Sequence, residues 1–502
     1  MFKFNASVCR HSFRKFSTDV SSFLTNKVFI DGKWVSALNG KTFLVYNPSN
    51  GEILHEAAEC THEDASIAIQ AATEAFKSWR LTTAKYRSDL LRKLWSKQMK
   101  AHKALAQLMS LEMGKPLKES MGEIVYGASF LEWFAEEARR INGEVLQSPQ
   151  KNKMMMYVKE PIGPVGIITP WNFPNAMITR KLAAALAAGC TVVIRPAEDS
   201  PFSGLALAKL ADEVGFPSGV INVITSSRNN ASAIGTTLCH SHDIRGISFT
   251  GSTAVGKLLL RESVSTVKRV SLELGGNAPF IVFNSADVSK AVDGCIASKF
   301  RNTGQTCVCA NRIFVQSKIH DEFVEALVSK MSQELIIGSP TDESTTLGPL
   351  VNERAVEKVE RHIKDATQKG AKIKTGGKHL KNCFFEPTVL TGAHQQMLLA
   401  SEETFGPVAA IFKFDTEEEV IKMANAERNG LAGYFYSNDI SQIWRVARHL
   451  EVGMIGVNEG IISSCEAPFG GVKESGLGRE GSKFGIDEFI NIKYVCIGNL
   501  SD

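Results

Sequence analysis

Val165-Gly166-Ile167-Ile168, a polar turn at Thr169-Pro170-Trp171-Asn172-Phe173-Pro174, a helical pattern through Ala188, then Thr191-Val192-Val193-Ile194: this stretch decides the fold. Two short, continuously apolar runs flank one helix-length segment. Such runs are the mark of strands buried on both faces, and a helical crossover between them makes the strands parallel. The alternation continues outward. A helix runs to Val214, and Val220-Ile221-Asn222-Val223-Ile224, Gly246-Ile247-Ser248-Phe249-Thr250 and Val270-Ser271-Leu272-Glu273-Leu274 read as further strands. After Gly275-Gly276 a second alternating unit starts at Pro279 and runs to about Val457. The fold class is therefore α/β with parallel sheets.

Before this core, Val28 to Val35 reads as a hairpin with Asp31-Gly32 at its turn. Helical spacing predicts helices over Glu63–Trp79, Lys85–Met113 and Leu117–Ile141, with Gly114-Lys115-Pro116 stopping the second. Two extended pieces, Met154–Glu160 and Phe489–Val495, have no place in either sheet. They are expected to pair with each other as an arm.

A chain of 502 residues exceeds what one core fills, so two or three domains are expected. Hydrophobic and charged contents of 44% and 22% are those of a globular protein. With 57 basic and 53 acidic residues the net charge is +4, and no basic stripe points to nucleic acid. No apolar run reaches the ~20 residues of a membrane span. The 10 cysteines lack paired CxxC spacing, which gives no metal site and no disulfide scaffold. The first twenty residues differ: Lys3, Arg10, Arg14 and Lys15 are interleaved with phenylalanines and serines, and no acid precedes Asp19. That composition predicts a mitochondrial presequence over residues 1–20.

Chemistry gathers at strand ends. Gly304-Gln305-Thr306-Cys307-Val308-Cys309 delivers a cysteine just before the strand Arg312–Val315. Cys307 is either a nucleophile or one more small buried residue. Asn172 is either an oxyanion donor or a turn residue. Gly251, four residues, then Gly256-Lys257 imitates a phosphate-binding loop, but Leu258 stands where a hydroxyl would hold Mg²⁺. What remains is a strand, a Gly251-Ser252 turn and a helix N-terminus, which suits a diphosphate. Glu273, leaving a buried strand, is either a base of raised pKa or half of an ion pair. Glu403 and Phe405 are two apart and would share a face of an extended segment.

Trp171-Asn172-Phe173-Pro174, Phe249-Thr250-Gly251-Ser252, Leu272-Glu273-Leu274-Gly275-Gly276, Gly304 to Cys307, Glu403 to Pro407 and Pro468 to Lys473 stand in the order seen in aldehyde dehydrogenases. The sequence resembles that family over nearly all of the chain after residue 25. Lys299–Cys309, Leu431–Ser437 and Gly478–Lys483 resemble its mitochondrial branch that oxidises succinate semialdehyde in 4-aminobutyrate breakdown. The resemblance implies a Rossmann-type cofactor domain over 21–147 and 166–274. It also implies an α/β catalytic domain over 275–474 and a small β oligomerisation arm over 148–165 and 475–502.

It implies that Cys307 attacks the aldehyde, that Asn172 holds the oxyanion, and that Glu273 activates the hydrolytic water. Arg195, Pro196, Ala197, Glu198, Gly251, Ser252, Gly256, Glu403 and Phe405 would line the cofactor. That cofactor is NAD if Glu198 takes the ribose hydroxyls, with NADP open because Arg195 stands where the family usually has lysine. Arg180, Arg301 and Ser463 resemble the group that holds a substrate carboxylate. Extended succinate semialdehyde places its two carbonyl carbons roughly 4 Å apart, so these residues must lie close to Cys307. Cys307 and Cys309 could close a disulfide under oxidation. The implied protein is a matrix homo-oligomer, dimer or tetramer, acting on a small semialdehyde. Another short semialdehyde, or a non-catalytic protein on the same fold, are the alternatives.

Overall fold

The structure, a computed structural model, describes residues 18–500. The expected presequence lies outside the described residues apart from its last three. Of these, Val20 is buried in the first core beside Phe23, so the folded unit takes in the end of that stretch.

The first sheet has eight strands in the order Lys33–Val35, Val28–Ile30, Ile221–Val223, Val192–Arg195, Val165–Ile168, Gly246–Thr250, Arg269–Glu273, Gly476–Leu477. The five from Ile221–Val223 to Arg269–Glu273 are parallel. Every residue of Val165–Ile168 and Val192–Arg195 is buried, as their unbroken apolar runs predict. The covering helix Ala176–Ala188 is buried along its whole length. The strand order reverses between Val165–Ile168 and Gly246–Thr250. Ligands of open parallel sheets bind at the carboxyl ends on either side of such a reversal. Asn172 follows the first of these strands and Gly251-Ser252 follows the second.

The second sheet has seven strands in the order Lys372–Thr375, Thr388–Thr391, Val408–Phe414, Arg312–Gln316, Pro279–Val282, Ala432–Tyr436, Met454–Val457. All neighbours are parallel except the first pair. Cys307 and Glu403 both enter this sheet from the amino ends of its strands. The two extended pieces pair antiparallel in unbroken register from Ile490↔Pro161 to Ile497↔Met154. A third strand, Glu144–Leu146, joins them.

Three local expectations differ from what is found. Lys85–Met113 is two helices, Ala84–Lys100 and His102–Met113, because Ala101 leaves helical geometry at φ −89°, ψ 5°. The apolar spacing carries across this one-residue break, so periodicity cannot register it. Thr42–Tyr46 and Ile53–Ala58 form a hairpin that the helical reading passed over. Gly476–Leu477, where the sequence predicts no strand, closes the edge of the first sheet beside Glu273. The Val28–Val35 hairpin is present, with Asp31 and Gly32 at φ 52° and 70°.

Candidate active site

Three successive residues before the cysteine, Asn302, Thr303 and Gly304, have φ of 51°, 57° and 77°. Left-handed backbone in two non-glycine residues is costly and persists only where the surroundings hold it. Here they do. Gln305, buried, donates to the Asn302 and Pro349 carbonyls and accepts from the Val351 N–H. Asn302 N–H donates to the Glu119 carboxylate at 2.7 Å. Gly304 also has a steric requirement, since a Cβ there would stand 2.2 Å from the Gly406 carbonyl oxygen. Gly276 is similar: its Cβ would lie 2.6 Å from the Cys307 carbonyl oxygen. The loop is thus clamped from several sides and presents Cys307, partly exposed, to the interior.

Cys307 sits where two cavities meet. The larger, about 380 Å³, is lined by Cys307, Asn172, Glu198, Ser252, Glu403 and Phe405, with Gly251 also on its wall. The smaller, about 20 Å³, is lined by Cys307, Arg180, Arg301 and Ser463 among others. Sites expected from distant parts of the sequence therefore converge on one sulfur.

The Asn172 amide nitrogen donates to the Gln305 carbonyl at 3.1 Å. The Asn172 backbone carbonyl accepts from Lys115 Nζ at 2.8 Å and from the Asn302 side-chain amide at 3.1 Å, while its side-chain Oδ1 has no partner among the described residues. An amide nitrogen carries two hydrogens, so one donor remains for an oxyanion beside Cys307. Burial pushes the Cys307 thiol up to about 12; Arg180 draws it down, while Glu403 and Glu273 add to the rise. The thiol is therefore protonated in the free protein.

Glu273 ends its strand buried, and among the described residues neither carboxylate oxygen has a hydrogen-bond partner. Burial, reinforced by the nearby Glu480 carboxylate, holds it well above the usual carboxylate range against the pull of Arg180 and Lys181. Its Oε1 faces Gly470, and the residue is not on the wall of either cavity at Cys307.

Ser252 caps the helix Thr253–Ser263, accepting from the Val255 N–H. A helix N-terminus opening into the large cavity, with a carboxylate at Glu198, fits a dinucleotide's diphosphate and ribose. Glu403 accepts from the Gly276 N–H at 3.3 Å; burial lifts it to about 7, opposed chiefly by Lys358. Phe405 meets Trp171 edge to face at 5.6 Å. Arg195, Pro196, Ala197 and Gly256 are not on the cavity wall. Arg195 is buried, and its guanidinium donates to Glu198 at 3.0 Å and to the Ser226 carbonyl at 3.2 Å. Gly256 instead permits close helix–sheet packing, since a Cβ there would lie 2.3 Å from Leu274.

In the small cavity Arg180 stacks on Phe469 at 4.1 Å, and Arg301 on Phe173 at 5.0 Å. Arg180 Nε pairs with Glu480, which also pairs with Lys181. Lys181 donates to Thr250 Oγ1 at 2.6 Å. Cys309 points elsewhere: its thiol donates to the Ser298 and Lys299 carbonyls at 2.9 and 3.1 Å, and both cysteines are free thiols. Tyr126 and Lys358 belong to the site without any local sequence signal, and Phe173, Phe469 and Glu480, though inside motifs, carried no site role in the sequence. Each reaches it through tertiary packing.

The model of the aldehyde dehydrogenase family matches residues 34–495. The mitochondrial succinate-semialdehyde dehydrogenase of Homo sapiens is 57% identical over 482 residues, 96% of this chain and 90% of that protein. The glutarate-semialdehyde dehydrogenase of Pseudomonas putida is 51% identical over 471 residues, 94% of this chain and 97% of that one. The crystal structure of succinate-semialdehyde dehydrogenase from Burkholderia pseudomallei superposes with a TM-score of 0.93 at 51% identity, covering 95% of this chain and 98% of that chain.

Proposed function

The chain belongs to the aldehyde dehydrogenase family, and on that premise we propose that it oxidises succinate semialdehyde to succinate with NAD(P). The observation that carries the substrate is the small cavity, where two stacked guanidiniums and Ser463 stand around the reactive sulfur. A carboxylate a few bonds from the aldehyde meets both arginine forks while its carbonyl carbon lies at Cys307. The identity to mitochondrial succinate-semialdehyde dehydrogenases supports the same substrate.

In this reading the Cys307 thiol passes its proton to water in the large cavity, and the sulfur adds to the aldehyde carbon. Asn172 Nδ2 and the Cys307 N–H hold the resulting oxyanion. A nicotinamide cofactor held here would supply the hydride acceptor for that adduct, and Cys307 would then carry the acyl group as a thioester. Glu273 turns toward the thioester and takes a proton from the water that hydrolyses it. Glu198, Ser252, Glu403 and Phe405 hold the cofactor. NAD is preferred to NADP because Glu198 already occupies the Arg195 guanidinium that would otherwise receive a 2′-phosphate.

We further infer a mitochondrial matrix enzyme, from the basic, acid-poor start of the chain and the mitochondrial relatives. Self-association through the Met154–Pro161 and Ile490–Ile497 arm is supported by its exposed Val145, Ile492 and Tyr494. A reversible Cys307–Cys309 disulfide would require Cys309 to leave its two carbonyl partners. If Cys309→Ala leaves peroxide inactivation and its rescue by thiol unchanged, that switch is absent.

The test of the substrate is a panel of succinate semialdehyde, glutarate semialdehyde and propanal, each with NAD and with NADP, followed by formation of the reduced cofactor. A kcat/KM far higher for succinate semialdehyde supports the reading. Comparable values for propanal overturn it and leave only the family's chemistry.

A further inference from the structure

The small cavity at Cys307 contains more than the two arginines. Its polar side chains are donors or hydroxyls, and no carboxylate lies on its wall. Three of those groups are orphans. The Tyr126 hydroxyl, Thr306 Oγ1 and Arg180 Nη1 are buried without a hydrogen-bond partner among the described residues. Buried polar groups are almost always paired, so a cluster of unpaired donors at one spot marks a place where an acceptor belongs.

Tyr126 is the informative member. It lies on the helix Leu117–Glu137, which packs against the helix carrying Arg180. Its ring meets Phe130 edge to face at 5.0 Å and packs beside Phe173 and Met177. A phenylalanine would make all of those contacts. Packing therefore accounts for the ring and leaves the hydroxyl without a role. The Arg180 guanidinium lies beside that hydroxyl and can only donate to its oxygen, and Arg301 is also near. A guanidinium has no lone pair to offer. The phenol hydrogen faces two cations and makes no bond to the Thr306 or Ser463 hydroxyl on the same wall, so an acceptor that enters the cavity would satisfy it.

We propose that the Tyr126 hydroxyl is a further specificity group, donating a hydrogen bond to the substrate carboxylate that Arg180 and Arg301 hold. This rests on the substrate reading above. The phenol adds to binding without adding charge, so it needs no counter-ion in the free protein. It also acts against competitors: an uncharged aldehyde that fills the cavity leaves the hydroxyl buried and unpaired.

The test is Tyr126→Phe in the full chain with saturating NAD, assayed on succinate semialdehyde and on propanal. KM for the semialdehyde should rise about tenfold or more with kcat within about twofold, as expected for a lost hydrogen bond to a charged group. The kcat/KM for propanal should stay constant or rise. The thermal midpoint should not fall, because the variant removes an unsatisfied hydroxyl and keeps the ring. An unchanged KM for the semialdehyde, or equal losses on both substrates, overturns the inference. If wild-type protein prefers succinate semialdehyde and Tyr126→Phe does not alter its KM, only this inference fails. If wild-type protein shows no such preference, the substrate reading fails and takes the inference with it.

Discussion

Arg180 and Glu480 form an ion pair shut away from solvent, Nε against Oε2, with the guanidinium carbon 4.1 Å from the centre of the Phe469 ring. Glu480 also pairs with Lys181, so one carboxylate balances two buried cations. This arrangement fixes the face that Arg180 turns to the cavity. Removing the carboxylate leaves both cations unpaired in a dry interior. Glu480→Gln should cost about 3 kcal/mol or more of stability, measured by denaturant unfolding. A loss under about 1 kcal/mol would mean that water or other groups take over the pairing.

Burial holds the Cys307 thiol up to about 12, so almost none of it is ionised near neutral pH in the free protein. A raised thiol pKa means that the thiolate fraction, and with it the alkylation rate, climbs with pH. Labelling of Cys307 by iodoacetamide, read by peptide mass, should rise about tenfold per pH unit between about pH 7 and 9 without levelling. A plateau inside that range would show a thiolate already formed.

Glu198 holds the Arg195 guanidinium at 3.0 Å, and in the proposed function this one carboxylate sets cofactor choice. In Glu198→Gln the guanidinium is released and the ribose loses its charged acceptor. The ratio of kcat/KM for NADP to that for NAD should rise about tenfold or more. An unchanged ratio would place discrimination elsewhere in the cavity.

Lys115 and Asn302 hold the Asn172 backbone carbonyl, and the side-chain Nδ2 is tied by one hydrogen to the Gln305 carbonyl, which leaves its other hydrogen for an oxyanion. Asn172→Ala should lower kcat about a hundredfold or more, the usual cost of one oxyanion donor, with the KM for the semialdehyde little changed. A rise in KM at constant kcat would make Asn172 a binding residue.

Much of this was legible in the chain because its chemistry is local. Val165–Ile168 and Val192–Arg195 are strands buried on both faces, and such strands read as unbroken apolar runs. Ser252 is a helix cap, and the Asp31-Gly32 turn needs left-handed backbone; both are written in neighbouring residues. The rest depends on contacts that no window spans. Lys181 and Glu480 are 299 residues apart, yet one carboxylate serves that lysine and Arg180 together. Tyr126 sits on an ordinary amphipathic helix, and nothing in its neighbours tells a hydroxyl facing a cavity from one facing solvent. Glu273 was readable as a strand-end carboxylate, but its unpaired oxygens and their distance from the cavity wall follow only from the packing of Gly470 and Gly476 around it.

The central claim is that the guanidiniums beside Cys307 choose the substrate, and Arg301→Ala tests it most directly. Steady-state kinetics on succinate semialdehyde and on propanal give the ratio of the two kcat/KM values for wild type and variant. The account predicts that this ratio falls about a hundredfold, through KM for the semialdehyde, while propanal turnover is kept. Equal losses on both substrates would contradict it, because Arg301 would then be supporting the Cys307 loop rather than reading a carboxylate.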